Sequence, residues 1–260
     1  MASTQTAAPA LQVEGLRVAF GALVALDDVS WQVAPGEILG IIGPNGAGKS
    51  TCYNAATHLV RREGRVSLMG EDVTDVPAHR LAARGLRRAF QQNAFFGDLT
   101  VLENMAAVLQ DERGASLARA VFRPFATRRD AVETRRAAAK ALERMGVPAR
   151  YHDAYPGETP YGVQRMLSIA LANGSGAKIL MLDEPAAGLG GADMAELVTL
   201  LQSLREEGMA LVVIEHHMDL IMSVTDRIVV LDQGRMIASG PPEEVRRDAA
   251  VLEAYLGRSA

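Results

Sequence analysis

The chain has almost no cysteine: Cys52 is the single thiol in 260 residues. A disulfide framework within the chain is therefore excluded, and the usage fits a reducing compartment. Long apolar runs are missing too. The longest, such as "ILGIIG" (38–43) and "ALVVI" (210–214), fall far short of the roughly 20 residues that cross a bilayer. The opening "MASTQTAAPA" has neither a basic n-region nor an apolar h-region, so no secretory signal is expected and residues 1–10 read as a short disordered tail. Positive charge is not in excess. With a net charge of −4, no nucleic-acid partner is expected. There is no internal repeat and no low-complexity segment. What remains is an ordinary globular composition, 48% apolar and 22% charged. The length suits one large domain or two small ones and buries a sizeable core. Any role at a membrane has to run through a partner.

Periodicity gives the organisation. Residues 11–20 and 24–33 alternate apolar and polar positions as half-buried strands do. "EILGIIG" (37–43) is a continuous apolar run that suits a buried parallel strand, and a helix is expected from about Lys49 to Leu59. A strand at 65–70 and a short helix at 78–85 follow. From Leu99 to about Gly174 the pattern is helical, opened by "TVLE" (100–103), which has the spacing of a capping box. Residues 111–150 hold ten Lys/Arg against five Asp/Glu, dispersed rather than blocked, which reads as a solvated helical face. After Lys178 the alternation of strand and helix returns: strands at 178–184 and 210–216, helices at 193–208 and 217–225, a strand pair over 227–240, and a terminal helix at 241–256 opened by proline. The expectation is an α/β sheet protein with an antiparallel β start and a helical insertion.

"GPNGAGKST" (43–51) matches G-x-x-x-x-G-K-[ST] between a buried strand and a helix, the context a phosphate-binding loop requires. The expected nucleotide-binding loop is Gly43, Pro44, Asn45, Gly46, Ala47 and Gly48, whose glycines would let backbone N–H groups curl around the β-phosphate. Lys49 would reach the β- and γ-oxygens, and Ser50, followed by Thr51, would offer a hydroxyl to Mg²⁺, a hard ion that prefers oxygen. Cys52 follows directly. It reads as a small apolar filler, or as a thiol whose alkylation would block nucleotide binding. A P-loop NTPase also needs an acid at the end of a second buried strand, and "ILMLDEP" (179–185) supplies one. Asp183 falls at the carboxyl edge of the sheet, where ligands bind in open α/β folds, and is the expected metal ligand. Glu184, next to it, is placed to polarise a water for in-line attack. His216, ending the apolar run "ALVVIEH", falls at the same edge, where it would contact the γ-phosphate. His217 has no such claim. Gln91 follows a short predicted strand, where a neutral amide could touch Mg²⁺ or the attacking water; the residues alone leave its role open.

Taken in order and spacing, "GPNGAGKST", "AFQ", "YGVQR", "ILMLDEP" and "IEHHM" resemble the ATP-binding subunits of ABC transporters, from Leu11 to Gly257. The resemblance implies a RecA-like P-loop core (11–91 and 178–240) with an antiparallel β subdomain, a helical subdomain at about 92–177, and a C-terminal helix at 241–257. It implies ATP and Mg²⁺ as ligands. It also implies a head-to-tail dimer in which each site joins one subunit's phosphate loop to the other's signature helix, here Tyr161 and Gly162. Phe20 resembles the aromatic that stacks on adenine, Gln91 the Q-loop glutamine, Asp183 the metal ligand, Glu184 the general base and His216 the switch histidine. "DEPAAGL", "IEHHMDLIMSVTDRI", the insertion around 121–136 and the ending "EAYLG" are similar to the branched-chain amino acid uptake group, whose relatives carry urea or short amides. The expected partners are a second ATPase subunit, integral membrane permease subunits and, indirectly, a solute-binding protein, at the cytoplasmic face of the membrane. The segment "NAFFGDLTVLENM" (93–105) would dock a helix of the membrane subunit, with Phe95 and Phe96 either lining that groove or filling the core.

Two residues depart from the family pattern. The signature usually reads Leu-Ser-Gly-Gly-Gln; here "TPYGV" (159–163) has Pro160 in the serine position. Proline offers neither a hydroxyl nor an amide to phosphate. A hydrogen bond lost from a charged group costs roughly 1.5–3 kcal/mol, which would weaken closure by roughly one to two powers of ten per site. Alternatively, a rigid proline at the first helical position preorganises the helix and little is lost. Gly190 stands where the family has Asp or Asn, and Gly191 follows, which predicts weaker coupling between sites. Three other roles are weighed. An exporter ATPase for lipid or lipopolysaccharide shares the "YLG" ending but fits the longer insertion less well. A soluble non-transport ATPase would carry coiled-coil arms or tandem cassettes. A barely hydrolysing regulatory subunit is kept open by Pro160 and Gly190.

Overall fold

The computed structural model describes residues 8–89, 94–112, 124–174 and 176–256. In chain order the first elements are β1 (Leu11–Phe20), β2 (Leu23–Val33), β3 (Ile38–Ile42), α1 (Lys49–Ala56), β4 (Glu63–Leu68), β5 (Glu71–Asp72), α2 (Ala78–Ala83) and β6 (Leu86–Ala89). Three helices follow: α3 (Val101–Glu112), α4 (Pro124–Arg144) and α5 (Tyr161–Asn173). The chain continues through β7 (Ile179–Asp183), α6 (Gly191–Glu206), β8 (Ala210–Ile214), α7 (Met218–Val224), β9 (Arg227–Asp232), β10 (Arg235–Gly240), α8 (Pro242–Val245) and α9 (Ala249–Leu256). Two compact units result. One takes the chain up to Arg87, Lys178–Ala187 and the residues from Leu201 onward; the other takes Arg88–Ala177 and Gly188–Leu200.

The first unit is built on two sheets. An antiparallel sheet runs β2-β1-β4-β5, and a six-stranded sheet runs β10-β9-β3-β8-β7-β6. In β1 the alternation buries Leu11, Val13, Leu16 and Val18, and the one slip in that period coincides with a register shift between Val13 and Leu16. Strands β3 and β8 are buried at every position, as strands covered on both faces must be. Both pair in parallel: β3 with β8 and β9, and β7 with β8. Ile214 lies opposite both Ile41 and Asp183, so three strands end at one level of the sheet. The loops that leave those ends therefore start side by side. One apolar cluster, including Leu11, Leu26, Val66, Leu39, Met181 and Val212, joins the two sheets. Tyr53 of α1 lies fully buried in it and donates its hydroxyl to the Met181 carbonyl at 3.1 Å.

In the second unit the capping box at the start of α3 is formed. The Thr100 hydroxyl accepts the Glu103 amide at 3.2 Å, and the Glu103 carboxylate accepts the Thr100 amide at 2.9 Å.

Three expectations need correction. The terminal helix is two helices, α8 and α9, because Asp248 turns its carboxylate onto the amides of Ala250 (2.8 Å) and Val251 (3.1 Å) and starts a new helix there. Pro160 is not the first helical residue. At φ −54°, ψ 150° it is the N-cap of α5, extended, with its carbonyl accepting the Gln164 amide at 3.1 Å. Strand β8 ends at Ile214, so Glu215 and His216 lie in the loop beyond it. We expect Asp248→Ala to cost about 1 kcal/mol, as loss of an N-cap does. Hydrogen exchange should accelerate over 249–256 and stay unchanged in β3 and β8.

Candidate functional site

The loop between β3 and α1 is held from several sides. The β9–β10 turn grips it, with the Gly234 amide donating to the Ala47 carbonyl at 3.0 Å, and the Gly234 carbonyl accepting the Asp27 amide at 2.8 Å. At Gly43 a Cβ would stand 2.1 Å from the Leu231 carbonyl oxygen, and at Gly48, with φ +101°, 2.9 Å from that of Ala25. No side chain fits at either place, so the motif's first and last glycines answer to packing as well as to backbone freedom. Lys49 is buried and donates to the carbonyls of Gly43 at 2.6 Å and Pro44 at 3.1 Å. Burial lowers its pKa, and the negative charges of Glu184 and Asp183 work in the opposite direction. Asn45, Gly46 and Ser50 are exposed, and Thr51 is half-buried.

Asp183 closes β7, and Glu184 follows it with φ +48°, a left-handed backbone that non-glycine residues rarely take. The Glu184 amide donates to the Ile214 carbonyl at 2.8 Å. Strain of this kind concentrates at functional sites. Its carboxylate lies 3.5 Å from the His216 Nδ1, and His216 is half-exposed. Lys49, Asp183, Glu184 and His216 are thus gathered at one edge of the parallel sheet. Phe20 is 54% exposed at the end of β1, so its ring has a face open to stacking. Gln91 lies outside the described residues. The residues present fit a nucleotide with a divalent cation: a loop shaped by steric exclusion of side chains, a buried ammonium, and hard oxygen donors on Ser50 and Asp183.

Glu215 was not singled out from the sequence. It is fully buried and its carboxylate accepts three backbone amides: Ala186 at 2.8 Å, His216 at 2.9 Å and His217 at 3.1 Å. An acid directly after five apolar strand residues was the available signal, since a buried carboxylate must find donors.

In the second unit, α5 begins at Tyr161, which is 45% exposed, while Gly162 is buried. A Cβ on Gly162 would lie 2.5 Å from the Asp193 carboxyl carbon, and one on Gly188 would lie 3.0 Å from the Tyr161 ring. Gly188, inside the "DEPAAGL" run, and Asp193, just after it, therefore pack directly on the start of α5. Arg165 reaches the Tyr161 hydroxyl at 3.3 Å. On the same unit a cavity of about 200 Å³ is lined by Ala89, Phe96, Asn104, Val108 and Leu171, among others. Buried Asn104 holds both the amide (2.8 Å) and the carbonyl (3.0 Å) of Phe96, whose ring stays 64% exposed. Phe95 is half-buried, so neither ring is a core residue.

Comparison with known proteins matches residues 26–187 to the model of the ABC transporter family. The chain belongs to that family. Its C-terminal residues 235–260 match a second model, described as the branched-chain amino acid ATP-binding cassette transporter. The cassette is 37% identical over 253 residues to the high-affinity branched-chain amino acid transport ATP-binding protein BraF of Pseudomonas aeruginosa, covering 96% of this chain and 99% of that one. LivG of Escherichia coli K12, likewise a high-affinity branched-chain amino acid transport ATP-binding protein, is 36% identical over the same share. The lipopolysaccharide export protein LptB of Haemophilus influenzae is 30% identical, over 95% of this chain and 97% of that one. Among solved structures, the ADP conformation of the cassette MJ1267 superposes with a TM-score of 0.82 at 29% identity, covering 96% of this chain and 99% of that one. The expected fold class, a P-loop ATPase with β and helical additions, stands. The chain is an ATP-binding, ATPase cassette of a transporter, a subunit that works with a permease and as a dimer. Among the described residues no helix is long and apolar enough to cross a membrane.

Cys52 is settled as filler. It is fully buried, accepts the Trp31 indole N–H at 3.1 Å, and burial raises its thiol pKa to about 12. The alternative reading, a thiol open to alkylation, is overturned. We expect no labelling of the native protein by an aromatic disulfide reagent at pH 8 and full labelling after unfolding in guanidinium; fast native labelling would contradict this burial.

Proposed function

We propose that this cassette is the energy-coupling ATPase of an importer for branched-chain or other hydrophobic amino acids, or related amides. The observation that carries the reading is full-length similarity to BraF at 37% identity, together with the separate C-terminal match. The exporter alternative rests on a lower identity, 30%, to LptB.

In this reading the backbone N–H groups of Asn45, Gly46, Ala47 and Gly48 and the Lys49 ammonium hold the β- and γ-phosphates of ATP. Ser50 and Asp183 supply oxygen ligands for Mg²⁺, joined by Gln91. Glu184 takes a proton from the attacking water as its oxygen bonds in line to the γ-phosphorus and the bond from that phosphorus to the β–γ bridging oxygen breaks, releasing ADP and phosphate; His216 bonds a γ-phosphate oxygen. The 3.5 Å approach of His216 to Glu184 supports roles in one reaction. Phe20 stacks on adenine. Tyr161, Gly162 and the dipole of α5 face the γ-phosphate bound by the partner subunit, with Pro160 reducing the number of donors there. The groove beside Phe96 receives a cytoplasmic helix of the permease. Its partly apolar lining and the rigid Asn104 bonds support that use. The cassette then works peripherally at the cytoplasmic face of the membrane, as a homodimer or paired with a paralogue.

Two experiments test this. Glu184→Gln, stripped of the base, should dimerise in MgATP by light scattering; a monomer at saturating MgATP would overturn the homodimer and require a second ATPase subunit. A strain lacking the gene should lose uptake of labelled leucine and regain it with the wild-type gene but not with Glu184→Gln. Unchanged leucine uptake would overturn the solute assignment.

A further inference from the structure

The loop after β7 carries Glu184 and the loop after β8 carries His216. Nothing in their local sequence keeps them in register, because they lie on separate crossovers. Two crosslinks do so. The Glu184 amide bonds the Ile214 carbonyl at 2.8 Å, and two residues on, the Ala186 amide bonds the Glu215 carboxylate at 2.8 Å. The other oxygen of that carboxylate takes the amides of His216 and His217 at 2.9 and 3.1 Å. The left-handed backbone at Glu184 is thus pinned on both sides. The His216 Nδ1 lies 3.7 Å from the Glu215 carboxylate and 3.5 Å from that of Glu184, so the imidazole stands between a fully buried acid and a partly buried one. Glu215, His216 and His217 come within 4.8 Å of one another. Both Glu215 oxygens are already engaged by N–H donors, which builds the cluster to hold backbone rather than an ion.

We infer that Glu215 is a positioning residue: its buried carboxylate locks the Glu184 loop to the His216 loop, so that hydrolysis depends on a group that contacts no nucleotide. This deepens, and rests on, the proposed roles of Glu184 and His216. A neutral amide cannot replace it. Glutamine offers one accepting oxygen, so it serves either Ala186 or the two histidine amides and turns an NH₂ toward the other donors. The charge adds to the effect, because bonds to a carboxylate are shorter and stronger than bonds to a neutral acceptor.

The experiment is a double-mutant cycle of Glu215→Gln with His216→Ala, read as ATPase kcat, KM for ATP and thermal unfolding. Glu215→Gln alone should lower kcat by about ten-fold or more while KM stays within about two-fold, because the phosphate loop is untouched. In the His216→Ala background the same change should cost at least about three-fold less, since one of the two groups it holds in register is gone. Equal losses in both backgrounds, or a fall in kcat that only follows a lost folded fraction, would overturn the inference and leave a structural acid. If Glu215→Gln does not fold, Glu215→Asp, which keeps the charge but retracts it from Ala186, carries the same cycle with the same criteria. His216→Ala alone separates the two readings. Unchanged kcat there refutes the proposed role of His216, whereas a loss there combined with full activity of Glu215→Gln refutes only the positioning role.

Discussion

Parallel pairing of β3 with β8 and of β8 with β7 is the constraint on which the site depends. A parallel ladder cannot be closed by a tight hairpin, so each strand must leave and return through a crossover. All three strands therefore end at the same edge, and Ile41, Ile214 and Asp183 share a level there. Residues separated by more than a hundred positions become neighbours because of backbone hydrogen bonding alone. Side-chain burial then fixes the register, since a slip would carry a buried strand face into the wrong layer. The phosphate loop inherits its position from β3 and its shape from the steric limits at Gly43 and Gly48.

Charge distribution follows from the same edge. Lys49 is desolvated by the core beneath it and sits in the field of two carboxylates. Glu215 is more buried still, but its charge is spread over three amides, the usual condition for keeping an ionised group away from water. A site meant to hold polyphosphate thus separates its charges by function. The partly buried acids, Asp183 and Glu184, lie at the sheet edge beside Lys49, and the fully buried acid is turned to the backbone.

Much of this was legible in the sequence, and for identifiable reasons. The phosphate loop, the Asp183–Glu184 pair and the Thr100 capping box are local patterns whose geometry is set within a few residues. The split of the terminal helix was also readable, because Asp248 carries its own capping group, but the apolar periodicity on either side masked it. Glu215 was not readable as a tether, because its partner Ala186 lies 29 positions away and the bond exists only once β7 and β8 pair. The close approach of Asp193 to Gly162 likewise needs the folded unit. Pro160 was placed one position too far into the helix, because proline suits both the first turn and the extended residue before it.

The chain has one tryptophan and one cysteine, and the fold puts them in contact, with the indole N–H on the thiol sulfur. Sulfur at van der Waals range quenches indole emission. The sole indole, selectively excited apart from the tyrosines at the red edge of the absorption band, is therefore wired to α1, the helix that springs from the phosphate loop. Any displacement of that helix from the antiparallel sheet changes the light the protein emits, so the unlabelled molecule carries its own optical gauge of how its nucleotide loop is seated.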